Sequence, residues 1–108
     1  MTREEFIEVL DDNGYSYEME GDNIVVTHEF NVFLNSLTSL PPGVEFKNEG
    51  SVWLHLLKTI PPGVEFKNEG NVVLYLLIGG WFQDWSGNIE GVDSKRLLNL
   101  MISKGMFI

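Results

Sequence analysis

The chain has 108 residues, 44 % of them hydrophobic, no cysteine and a formal net charge of −9. A chain this long holds one domain with a single modest core, and its apolar content argues for folding over disorder. Disulfides and thiolate metal sites are excluded, no apolar run approaches the roughly 20 residues of a membrane span, and the acidic balance argues against binding nucleic acid or an anionic lipid surface directly.

The charge is unevenly placed. Residues 1–30 carry nine acids against Arg3 alone, a balance of −8, whereas residues 31–108 carry seven acids and six bases, a balance of −1. The opening Met-Thr-Arg-Glu-Glu does not read as an export signal, so the cytoplasm is the expected compartment.

Thr2 and Glu5 have capping-box spacing, which predicts a helix running to about Asp12 with Phe6, Val9 and Leu10 as its apolar stripe, Ile7 beside them and Gly14 past its end. Tyr15, Tyr17 and Met19 then alternate with Ser16, Glu18 and Glu20. The Gly21-Asp22-Asn23 turn and Ile24-Val25-Val26 complete an expected β-hairpin.

The next segment repeats itself. PPGVEFKNEG occurs at residues 41–50 and again at 61–70, and a third, worn copy precedes both. At a period of twenty, Ile24, Val44 and Val64 align, as do Val26, Phe46 and Phe66; Val32, Val52 and Val72; Leu34, Leu54 and Leu74; and Leu37, Leu57 and Leu77. Pro42-Gly43 suits the centre of a type II turn, Val44–Phe46 and Val52–Leu54 read as short strands, and residues 47–50 read as a polar corner between them. A fixed period with aligned apolar positions predicts stacked units. Towards the C-terminus, residues 79–85 carry Trp81, Phe82 and Trp85 and read as a lid. Asp93 or Ser94 caps a second helix ending near Lys104, with Leu97, Leu98, Met101 and Ile102 as its apolar side.

The expected fold is mainly β with flanking helices: a short right-handed β-solenoid of about three 20-residue coils, capped by an N-terminal helix plus hairpin and by a C-terminal helix. Residues 1–23 form the front cap, 24–79 the repeats and 80–108 the rear cap of one domain. Between Leu37 and Leu77 the L-x-x-[LI]-P-P-G-V-x-F and G-x-V-x-L blocks resemble those of leucine-rich-repeat-like solenoids from bacteria and their phages. The resemblance implies binding to other macromolecules with no shared catalytic residues.

Two surfaces stand out. The acidic front comprises Glu4, Glu8, Asp11 and Asp12 along one helix face, continued by Glu18, Glu20 and Asp22 on the hairpin. It reads first as a solvated face, and its functional alternative is a docking surface for a basic partner. The second is the outward side of the second strand, where stacking sets Phe33, Trp53 and Val73 in one column, with His55 and Tyr75 in the next beside Asn35. Outward aromatics need cover, which residues 79–85 could supply, or else a partner; self-association and glycan stacking are the alternatives. Glu45, Lys47 and Glu49 with their copies Glu65, Lys67 and Glu69 read as a solvated face crossed by a Glu45–Lys67 diagonal. Lys95 and Arg96 read as surface residues. His28 and His55 lack a nucleophile or carboxylate at motif spacing, and no phosphate loop, metal motif or cofactor motif is present, so no catalysis and no cofactor are expected.

The expected function is therefore a non-catalytic protein–protein interaction module using the aromatic face and the acidic front. Its partner would be a protein, basic or itself nucleic-acid-binding, with no direct contact to nucleic acid or membrane; a homodimer is a further expectation. The alternative is a small acidic inhibitor that mimics nucleic acid; in size, charge and lack of an active-site motif the chain resembles phage counter-defence proteins, including anti-CRISPR proteins. A carbohydrate-binding side wall is the third reading.

Overall fold

Helix α1 (Arg3–Asp12) opens the chain in a computed structural model that describes residues 1–74, 88–89 and 92–107. Its capping box is formed: the Glu5 N–H donates to Thr2 Oγ1 at 3.1 Å, and the Thr2 N–H donates to Glu5 Oε1 at 3.2 Å. Hydrogen bonding from Thr2 to its carboxylate, by the backbone N–H first and the hydroxyl second, holds the Glu5 carboxyl below its ordinary value. The helix stops at Gly14, with a φ of 71°, where Gly14 N–H bonds the Asp11 carbonyl and Tyr15 N–H bonds that of Leu10. This is the Schellman pattern.

Strands β1 (Tyr17–Glu20) and β2 (Asn23–Val26) form the hairpin. They are followed by β3 (Val32–Phe33), β4 (Val44–Phe46), β5 (Val52–Leu54), β6 (Glu65–Phe66) and β7 (Val72–Leu74). A small hairpin, β8 (Asn88–Ile89) with β9 (Val92–Asp93), leads into helix α2 (Ser94–Ser103). That hairpin lies in the segment expected to form the rear cap.

The strands form a four-stranded sheet, β1-β2-β4-β6, and a three-stranded one, β3-β5-β7. From β2 onward the pairing is parallel and offset by twenty: Ile24 opposite Val44, Phe46 opposite Phe66, Leu54 opposite Leu74. Phe46 and Phe66 stack with centroids 5.0 Å apart, and Phe6 of α1 meets Phe46 edge-on at 6.4 Å.

The expected right-handed β-solenoid is corrected by this arrangement. The chain is a globule of 35 × 27 × 25 Å whose described residues form two helices, one mixed sheet, one parallel sheet and the β8–β9 hairpin, and no coil closure is found among them. The reason lies in element length. Strands of two or three residues present only a narrow apolar strip, so a repeat of this size cannot enclose a core by itself. The helices complete it: Phe6 and Leu10 of α1 and Leu98 and Ile102 of α2 are fully buried among the repeat's valines and leucines.

The corner at residues 47–50 also differs from its polar reading. Asn48 and Asn68 are buried. Asn48 Nδ2 donates to the carbonyls of Phe30, Gly50 and Ser51 at 3.0–3.3 Å, and Asn68 Nδ2 to those of Gly50, Gly70 and Asn71 at 3.1–3.2 Å. Each amide thus ties its own corner to the corner beneath. The glycine that follows is forced by the same closeness: a Cβ on Gly50 would sit 2.5 Å from the Asn31 nitrogen, and one on Gly70 2.6 Å from that of Ser51.

Candidate functional site

Phe33 and Trp53, opposite one another on β3 and β5, stack with centroids 5.7 Å apart and planes 27° from parallel. Phe33 is 51 % exposed and Trp53 half-buried, while Val73, third in the expected column, is only 3 % exposed. Val73 is therefore covered, and the column is open only at its first two positions. His55 lies edge-on to Trp53 at 5.6 Å and is half-buried; its backbone N–H donates to Asn35 Oδ1 at 3.3 Å. Tyr75 and the proposed lid at residues 79–85 lie outside the described residues.

The edge strand that carries Phe33 is held from the side. The Tyr15 hydroxyl accepts the Phe33 N–H at 3.0 Å and donates to the Phe33 carbonyl at 3.3 Å, so one side-chain oxygen satisfies both backbone groups facing away from β5. Tyr15 also packs on His28 at 5.0 Å, and His28 on Phe30 at 5.9 Å. Phe30 is 69 % exposed and extends the aromatic surface in a way the sequence reading missed. A signal was present. Phe30 occupies the repeat position held by Gly50 and Gly70, and only this first copy has no preceding corner for a side chain to strike.

The acidic front is fully at the surface: Glu4, Glu8, Asp11 and Asp12 on α1, Glu18 and Glu20 on β1, and Asp22 in the turn are all exposed. One bond joins its two halves, from the Tyr17 hydroxyl to Asp11 Oδ1 at 2.9 Å, and that bond to a carboxylate raises the Tyr17 phenol above its ordinary value. On the outer face of the mixed sheet Lys67 Nζ lies 2.7 Å from Glu45 and 3.1 Å from Glu65, with Lys47 3.8 Å from Glu45. The hydrogen bond to Glu45, then that to Glu65, raises Lys67 above the usual lysine value. This network uses its charges internally, which separates it from the carboxylates of the front, none of which forms an ion pair among the described residues. Among the described residues no three His, Asp or Glu side chains are grouped to hold a metal ion, and no helix is long and apolar enough to cross a membrane.

No protein-family model, curated protein or solved structure matches the chain. The leucine-rich-repeat-like resemblance of residues 37–77 thus rests on the repeat alone.

Proposed function

We propose that this chain is a non-catalytic protein-interaction module that meets its partner through the aromatic surface of Phe33, Trp53, Phe30 and His55, with the acidic front steering the approach. The observation that carries this reading is the Phe33–Trp53 stack: a large apolar ring half in water, on a strand whose backbone is pinned by Tyr15. Aromatic anchors dominate interface energetics, and a rigid anchor loses little conformational freedom on binding. Carboxylates clustered at one end raise encounter rates with a basic surface and add less to final affinity.

The test is affinity capture with the native protein and with Phe33→Ser, each checked for an unchanged melting temperature. A partner retained by the native chain and weakened by about 2 kcal/mol or more in the variant supports the reading, that being the size of an interface hot spot. Equal retention by both proteins removes it. The nucleic-acid-mimic reading draws on a different feature, the seven exposed carboxylates. It requires that Glu4→Lys with Glu8→Lys and Asp12→Lys abolish capture while Phe33→Ser does not.

A further inference from the structure

Three backbone edges of the two larger sheets can be followed in the described residues, and two of them are plugged. At β3 the Tyr15 hydroxyl takes both outward groups of Phe33. At β6 the Asn99 side chain does the same for Phe66: Oδ1 accepts its N–H at 2.7 Å, and Nδ2 donates to its carbonyl at 2.9 Å. The third edge is β1. The Thr27 N–H donates to the Ser16 carbonyl at 3.0 Å, and the register pairs Glu18 with Val25 and Glu20 with Asn23. By antiparallel alternation Glu18 and Glu20 turn their backbone groups to β2, while Tyr17 and Met19 turn theirs outward. No described residue meets those outward groups, and Glu18, Met19 and Glu20 are exposed.

We infer that the β1 edge is a strand-addition site for an extended segment that alternates apolar with lysine or arginine residues. The inference rests on the protein-interaction reading and gives its acidic front a partner chemistry. Side chains directly opposite in an antiparallel pair share a face, so Met19 and Tyr17 lie on the side of buried Ile24 and Val26, and Glu18 and Glu20 on the other. An added strand gains backbone hydrogen bonds to Tyr17 and Met19, covers the 45 % exposed Met19 with its apolar residues, and sets its basic residues against Glu18 and Glu20. A second copy of this chain is a poor occupant. Antiparallel registers that pair Met19 with Met19 or with Tyr17 put Glu18 opposite Glu20 or Glu18, and facing like charges destabilise a strand pair.

The experiment is a titration of the native chain with a blocked peptide alternating lysine and valine, and with its glutamate–valine counterpart, read by amide hydrogen exchange. The expected result is slowed exchange at the Tyr17 and Met19 amides with the lysine peptide only, and affinity that falls as salt rises. Met19→Pro removes an N–H that β2 does not use and should weaken binding about tenfold, the loss of roughly one hydrogen bond. If that variant does not fold, Glu18→Lys with Glu20→Lys decides, because it should reverse the preference toward the glutamate peptide. The proposal is overturned by binding that leaves both amides unprotected, by equal binding of the two peptides to the native chain, or by no binding at all. Protection at Phe33 or His55 instead would overturn the edge and leave the aromatic-surface reading intact.

Discussion

Glycine at positions 50 and 70 and phenylalanine at position 30 occupy the same place in the repeat, and the difference between them is steric. A Cβ on Gly70 would lie 2.6 Å from the Ser51 nitrogen and 2.7 Å from the Gly50 carbonyl carbon, both backbone atoms that cannot swing aside. Gly70→Ala should therefore lower stability by about 1 to 3 kcal/mol, as overpacking does. Phe30→Ala should change it by less than about 0.5 kcal/mol, as for an ordinary surface residue. Urea denaturation of the two variants checks both, and similar losses would show that the corners are not in close contact. The buried asparagines follow the same logic. Asn48 and Asn68 look like ordinary polar corner residues, yet each side chain donates to three corner carbonyls. In the first copy this position is His28, whose Nδ1 accepts the Ser16 N–H and whose ring joins Tyr15 and Phe30 at the surface. Two first-copy departures from the repeat, His28 and Phe30, thus extend the aromatic surface beyond Phe33 and Trp53.

The elements differ in how far they can be read locally. Helix α1 is legible from end to end, because Thr2, Glu5 and Gly14 act within a few residues of where they stand. Helix α2 stops in the same manner at Gly105, with Gly105 N–H to the Ile102 carbonyl and Met106 N–H to that of Met101. What α2 does between its ends is not local. Asn99 takes the place of a neighbouring strand for Phe66, 33 residues earlier. Asn99→Ala should leave the Phe66 N–H and carbonyl partly covered and unpaired, at a loss of about 1 to 3 kcal/mol. It should also open β6 to pairing with other chains, seen as concentration-dependent association in analytical ultracentrifugation. An unchanged melting temperature and a strict monomer would show that Asn99 is dispensable at that edge.

At the scale of the whole molecule, charge and packing are segregated. The first thirty residues hold −8 of the −9, and Glu4, Glu8, Asp11, Asp12, Glu18, Glu20 and Asp22 are all exposed there. Folding brings the carboxylates of α1 and the hairpin to one end, so the native state carries self-repulsion that salt relieves. Raising ionic strength from low to physiological values should increase the melting temperature by about 2 to 4 °C, the change that about 0.5 kcal/mol produces in a domain this size. A melting temperature that falls with salt would mean that attractive pairs such as Lys67 with Glu45 and Glu65 outweigh the repulsion.

The sequence by itself determined the period of twenty, the apolar positions that align across it, the helix at each end and the acidity of the front. Those features are carried by spacing, capping residues and composition, all of which act along the chain. Only the tertiary structure decided that the helices help to enclose the core where a closed coil was expected, that Val73 is buried while Phe33 is exposed, and that Tyr15 and Asn99 seal two sheet edges while no described residue seals β1. Each depends on what packs against a residue from 18 or more positions away, and a pattern of letters does not encode that proximity.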